Sequence, residues 1–191
     1  ACGDYKVENT VSFVAADTGA TGSDNWTVTV NVPCGTITVK KETVPSGDSQ
    51  SFDFTTTGSG YSGFSLSDGG TNDQTLTPGS YSVEETVPPG WNLATLVCTS
   101  SSGTSTITVT KPKAEIALAG DDTVKCTFTD KKLGNIEVTK VSIGGTGTFS
   151  FSLSDDGVSV SQDITTASGS LNQTTFSNLD PDLTYTLSES A

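Results

Sequence analysis

The sequence predicts an all-β protein made of small β-sandwich domains in tandem, and three observations predict it. Apolar residues recur at every second position in short runs, the period of a half-buried strand, and no long helical period appears. The runs are separated by turn-forming clusters such as Asp17-Thr18-Gly19-Ala20-Thr21-Gly22-Ser23-Asp24 and Asp68-Gly69-Gly70. One block also recurs. Gly35-Thr36-Ile37-Thr38-Val39-Lys40-Lys41 is answered by Gly134-Asn135-Ile136-Glu137-Val138-Thr139-Lys140, with Lys140 standing 99 positions after Lys41. Phe52-Asp53-Phe54 is answered by Phe149-Ser150-Phe151, and Tyr81-Ser82-Val83-Glu84-Glu85 by Tyr185-Thr186-Leu187-Ser188-Glu189. Only 32% of the 191 residues are hydrophobic, which suits several small stapled cores better than one large one.

In chain order, residues 1–34 hold two alternating runs, Tyr5-Val7-Asn9-Val11-Phe13 and Trp26-Val28-Val30-Val32, read as a hairpin or a pair of facing strands. Cys34 shares the parity of Val28 to Val32 while Cys2 lies off that of Tyr5, so a bulge at Gly3 is expected. The central module, 35–131, has expected strands at 37–41, 51–54, 63–66, 81–85, 91–98, 106–109, 115–118 and 124–130. The linker Lys131-Lys132-Leu133 is too short for independent tumbling, which predicts an elongated rod. Residues 134–191 form the second copy. Only Ser190 and Ala191 follow Glu189, so this copy is expected to be incomplete by itself, with Phe149, Phe151, Tyr185 and Leu187 uncovered.

Three charged residues stand out in the central module because each ends an apolar-alternating run. Ile37, Val39 and Lys41 share one face, as do Tyr81, Val83 and Glu85, and Cys126, Phe128 and Asp130. Three ionisable groups on buried faces must pair or react, because an isolated buried charge is too costly. Lys40 and Glu84 lie next door, and a one-residue slip of register would exchange them for Lys41 and Glu85.

These segments, with Pro78-Gly79-Ser80 before the Tyr81 strand and Pro88-Pro89-Gly90-Trp91 after it, resemble the Cna B-type (SpaA-like, prealbumin-like) domains of bacterial surface proteins and pilins. The resemblance covers residues 35–130 well and 134–191 in part. The N-terminal piece resembles the last strands of an Ig-like surface repeat. The resemblance implies a prealbumin-like β-sandwich in which the first-strand lysine attacks a last-strand aspartate or asparagine, assisted by a glutamate, to form an isopeptide bond. By position those roles fall on Lys41, Asp130 and Glu85. The chemistry asks for these residue types: an amine attacks only when neutral, a carboxyl shuttles a proton only when it holds one, and apolar surroundings favour both uncharged forms. The alternative is a buried ion pair without a covalent bond.

Four cysteines allow three pairings, and sequence proximity favours Cys2 with Cys34 and Cys98 with Cys126. Free thiols in a reducing compartment fit the surface-protein resemblance poorly. A metal site is not expected, since the chain has no Cys-x-x-Cys pair and no histidine. Asp68-Gly69-Gly70 and Gly120-Asp121-Asp122 read as turns rather than calcium loops, having no regular ligand ladder. No cofactor is expected.

A net charge of −13, from 22 acidic and 9 basic residues, repels nucleic acid and anionic membranes. No run is long and apolar enough to insert in a bilayer. The absence of histidine removes the imidazole base of a serine triad, and Asp155-Asp156 reads as a turn, so no enzyme activity is expected beyond self-cross-linking. The expected role is a structural segment of an extracellular bacterial surface stalk, fibre or pilus, whose partners are neighbouring copies or adjoining repeats. The alternative is an adhesin module in which aromatics such as Tyr61 and Trp26 contact a glycan or host protein.

Lys140 and Glu189 repeat Lys41 and Glu85 without a third partner in their own copy. Either the chain is a piece of a longer protein, or a neighbour completes the site. The spacing Tyr5, Val7, Asn9 equals that of Cys126, Phe128, Asp130, which makes Asn9 the candidate intermolecular partner.

Overall fold

The structure, a computed structural model, describes residues 2–155, 158–167 and 172–190. Ala1, Ala191 and the Asp156 of the expected Asp155-Asp156 turn lie outside the described residues; Asp155 itself accepts the Val158 amide on Oδ1 at 2.8 Å. The described residues hold strands and turns throughout.

The N-terminal piece is a hairpin of two long strands, β1 (Gly3–Val14) and β2 (Thr21–Val32). Its ladder runs in unbroken antiparallel register from Gly3 opposite Val32 to Val14 opposite Thr21. The expected bulge at Gly3 is therefore absent. Gly3 instead adopts φ 121°, which side-chain-bearing residues rarely reach, and this turn of the backbone lets Cys2 meet Cys34.

The central module contains β3 (Gly35–Val44), β4 (Phe52–Thr57), β5 (Phe64–Leu66), β6 (Thr71–Leu76), β7 (Gly79–Thr86), β8 (Trp91–Ser100), β9 (Thr106–Thr110), β10 (Lys113–Leu118) and β11 (Thr123–Lys132). They form two sheets, ordered β6-β3-β11-β8 and β5-β4-β7-β10-β9. The β3/β11 pair is parallel, and the other pairs of these sheets are antiparallel. Ile37, Val39, Phe54, Val83, Ile116 and Phe128 pack between the sheets, buried as the period-2 pattern requires. Lys131 and Lys132 belong to β11 rather than to a linker, and Leu133 alone separates β11 from the next strand. The Leu133 amide donates to Gly90 O at 2.8 Å, so even this residue is tied to the module.

The C-terminal piece contains β12 (Gly134–Thr139), β13 (Thr148–Ser154), β14 (Ser159–Thr165), β15 (Gln173–Leu179) and β16 (Thr186–Ser190), in sheets β12-β15 and β14-β13-β16. Contrary to the expectation of uncovered aromatics, it builds a small core of its own. Phe151 is buried with Val138, Leu153, Ile164 and Phe176, and Phe149 and Tyr185 pack partly against them. The cover comes from β14 and β15, whose Ser- and Thr-rich sequences hid their few inward apolar residues. Leu187 does remain 43% exposed.

Candidate functional site

The seventh residue of β3, Lys41, follows Ile37 and Val39 onto the inward face and ends completely buried. Glu85 reaches the same point from β7, where it is in register with Phe54 of β4. Asp130 arrives from β11, in register with Thr43 of β3 on one side. On the other side the β11/β8 register shifts between Thr129 and Asp130, placing Asp130 opposite Leu93. Lys40 points the other way and pairs at the surface with Glu42 at 2.6 Å, while Glu84 is exposed. The register thus selects Lys41 and Glu85, and all three side chains of the site have no solvent exposure.

Lys41 Nζ donates to Asp130 Oδ2 in a short contact and lies 3.3 Å from Glu85 Oε1. It also donates to the carbonyl oxygens of Glu42 at 3.1 Å and Phe128 at 3.4 Å. Beneath it lies the Phe52 ring, its centroid 4.1 Å from Nζ, held edge-on by Trp91. Burial, reinforced by the neighbouring Asp130 carboxylate, pushes the Glu85 carboxyl up to about 8, so it holds a proton at neutral pH. Taken as a carboxylate, Glu85 has no hydrogen-bond donor for either oxygen, and Asp130 Oδ1 has none. A proton on one Glu85 oxygen directed at Asp130 gives that oxygen and Asp130 Oδ1 a shared hydrogen bond and removes one negative charge from the buried site. Phe52 was not legible as part of the site, because an aromatic inside an alternating strand reads as ordinary core.

The C-terminal piece repeats the arrangement in open form. Lys140 Nζ lies 2.6 Å from Glu189 Oε1 and 4.1 Å from the Phe149 ring centroid. Here the lysine and glutamate side chains are 20% and 36% exposed. Asn9 stays in the hairpin, in register with Trp26 on its apolar face.

The structure joins Cys2 to Cys34 and Cys98 to Cys126, the latter two facing each other across β11 and β8. Two aspartates at turns organise loops. Asp122, almost fully buried, accepts from the Ser100 and Ser101 hydroxyls and from the Ser102, Ser105 and Thr123 amides. Those bonds hold its carboxyl well below the usual carboxylate range. Asp68 accepts the amides of Thr43 and Gly47, both at 2.6 Å. Of the aromatics proposed for ligand contact, Tyr61 is buried against Phe64 and Tyr81 and cannot reach a ligand, whereas Trp26 is 74% exposed.

Residues 37–132 match the family model described as a prealbumin-like fold domain. Among solved structures the chain is similar to the Bacillus anthracis TIE protein, at 15% identity and TM-score 0.42, over 99% of this chain and 38% of that one. It is also similar to the C-terminal fragment of the pilus adhesin SpaC from Lactobacillus rhamnosus GG, at 18% identity and TM-score 0.32, over 82% and 74% of the two chains. A streptococcal ancillary pilin aligns at 15% identity and TM-score 0.39, over 79% and 52%. The chain spans less than two fifths of the Bacillus anthracis protein's length. No curated protein matches it. The family match takes in Lys41, Glu85 and Asp130 and covers half the chain, and on that match the chain belongs to the prealbumin-like fold domain family.

Proposed function

We propose that this chain is a structural segment of a bacterial cell-surface stalk, fibre or pilus, whose central module is sealed by a self-formed isopeptide bond between Lys41 and Asp130. The carrying observation is the direct contact of Lys41 Nζ with Asp130 Oδ2 in a fully buried site beside Glu85, whose carboxyl burial pushes up to about 8. Proximity of this kind converts amide formation, unfavourable in water, into an intramolecular step from which water is excluded.

The steps balance with the groups present. A proton passes from the Lys41 ammonium to Asp130 along their hydrogen bond, leaving a neutral amine and a carboxylic acid. Nζ attacks Cγ of Asp130, and Glu85 gives its proton to the departing oxygen while accepting one from the attacking nitrogen. The C–O bond breaks, one water leaves, and Glu85 regains its starting state.

In this reading the disulfides and the cross-link staple modules arranged in series, with 1–34 the end of an Ig-like repeat and 134–191 part of a second prealbumin-like module. Disulfides persist in oxidising surroundings, and the two here support an extracellular position for the segment. Intact mass tests the bond. The chain is expected one water lighter than its disulfide-bonded sequence, with Lys41 and Asp130 in one branched peptide. Full mass, with Lys41 modified by an amine reagent once the chain is unfolded, overturns it.

A further inference from the structure

The C-terminal piece repeats part of the central module strand for strand: β12, β15, β13, β14 and β16 correspond to β3, β6, β4, β5 and β7. At one place the two copies are filled differently. In the central module residues 58–63, between β4 and β5, turn inward and carry Tyr61 into the edge of the sandwich. Its ring meets Tyr81 edge-on at 5.9 Å and Phe64 at 6.5 Å between centroids, and its carbonyl accepts the Thr56 hydroxyl at 2.8 Å. Gln74 of β6 closes the other side, its carboxamide bonding both backbone groups of Ser62.

The strand registers locate each of these neighbours in the C-terminal piece. Phe151 faces Gln162 where Phe54 faces Phe64, and Leu153 and Tyr185 stand in the places of Thr56 and Tyr81. Ile136 faces Phe176 where Ile37 faces Gln74. The β13/β14 ladder, however, continues regularly to Ser154 opposite Ser159, which leaves the place of the Tyr61 ring open. What remains is a cavity of about 290 Å³, lined among the described residues by Leu153, Val160, Phe176, Leu179, Tyr185 and Asn178 with a few polar neighbours. Leu153 and Phe176 are buried walls, and Val160, 51% exposed, stands at the rim. The β12/β15 register shifts between Gly134 and Ile136, and Asn178 adopts φ 61°, so β15 bulges at the cavity wall. The cavity lies between β14 and β15, whose counterparts β5 and β6 are outer strands of the central module's sheets; no further strand covers that edge there.

We propose that this cavity is a binding site for a phenolic ring, the group that Tyr61 supplies from within the chain in the central module. An apolar cavity of about 150 Å³ is enough to hold benzene, so this one accommodates a single substituted ring. Leu153, Phe176 and Leu179 take the ring out of water, and Tyr185 stands beside it as Tyr81 stands edge-on to Tyr61. The ligand hydroxyl is matched by Asn178 on the wall, whose carboxamide both donates and accepts. It is matched also by the Tyr185 hydroxyl, which accepts the Asp180 amide at 2.9 Å and keeps its own hydrogen to donate. Two sources carry this chemistry, a free phenol and a tyrosine side chain on a polypeptide loop.

The test titrates p-cresol, the tyrosine side chain by itself, into the full chain with its disulfides intact and follows methyl-resolved NMR spectra. Saturable shifts are expected at the Leu153, Val160 and Leu179 methyls, with NOEs from these methyls to the ring. Toluene and 4-methylcyclohexanol, which lack the hydroxyl and the aromatic ring in turn, are expected to bind at least about fivefold more weakly. Asn178→Ala should remove the preference for p-cresol over toluene, and Val160→Trp, which fills the cavity from its rim, should remove binding of both. The NOEs in the parent chain decide the site even where the tryptophan is not tolerated. Tighter binding of the peptide Gly-Ser-Gly-Tyr-Ser-Gly, the sequence of residues 58–63, upholds the site with a polypeptide tyrosine as occupant. Binding of p-cresol without the peptide upholds it with a free phenol. An absence of saturable shifts at millimolar p-cresol, NOEs only to residues elsewhere such as Trp26, or equal binding of 4-methylcyclohexanol overturns the proposal.

Discussion

Glu85 lies 3.3 Å from the Lys41 ammonium nitrogen, with neither side chain reached by solvent. Its role in the proposed reaction is to hold and relay a proton, which a glutamine of the same shape cannot do. Glu85→Gln is therefore expected to keep the fold while slowing bond formation by about 10²- to 10⁴-fold. Circular dichroism checks the fold, and intact mass over time checks the rate. A variant that loses water as fast as the parent removes Glu85 from the mechanism.

The same carboxyl sets a pH dependence. Its folded-state value is raised to about 8, above the ordinary carboxylate value. The stability it contributes is thus fully present below the unfolded value and is lost as pH rises through about 8. For the unbonded chain the denaturation midpoint is expected to fall from mildly acidic to mildly alkaline pH. The rate of water loss is expected to decline above about 8 as the shuttle proton is lost. A rate that keeps climbing with alkalinity, following only the free amine, contradicts this.

Asp122 ties residues 100–105 to the start of β11 through two hydroxyls and three amides. Asp122→Ala strands these donors in a partly buried loop, and a melting temperature lower by several degrees is expected. Because the carboxyl is held below its unfolded value, its stabilisation is present at neutral pH and fades as pH drops through the acidic carboxylate range. Thermal melts of parent and variant should therefore differ at neutral pH and converge as the pH is made acidic.

Gly58 adopts φ 116°, and a Cβ there would stand 2.2 Å from a carbon of the Tyr81 ring. Tyr81 is fixed by its hydroxyl, which donates to Thr77 O at 2.7 Å, so the ring cannot withdraw cheaply. Gly58→Ala combines backbone strain with overpacking and should cost about 2–4 kcal/mol. Urea unfolding measures it, and a change below about 1 kcal/mol contradicts the reading.

The buried triad was legible because each charge closes a run whose other inward members are apolar: Ile37 and Val39 before Lys41, Val83 before Glu85, Phe128 before Asp130. Strand β6 was not, since Thr71-Asn72-Asp73-Gln74-Thr75-Leu76 offers a single apolar residue at its end. It is an edge strand whose side chains bond one another and neighbouring loops, as Gln74 does with Ser62 at 2.7 Å. The role of Asp122 was hidden for a different reason. Its partners at 100–105 are brought to it only by the pairing of β8 with β11, and locally Gly120-Asp121-Asp122 reads as a turn.

Strands β3 and β11 lie side by side and run the same way, in register from Thr36 with Thr123 to Val44 with Lys131. A polypeptide pulled from both ends enters this module at Gly35 and leaves at Lys132, at opposite ends of that ladder. Tension then loads the rungs together, in shear, instead of peeling them one by one. With Lys41 and Asp130 covalently joined, force crosses from one strand to the other at that bond, and residues 42–129, with the Cys98–Cys126 disulfide among them, carry none of it.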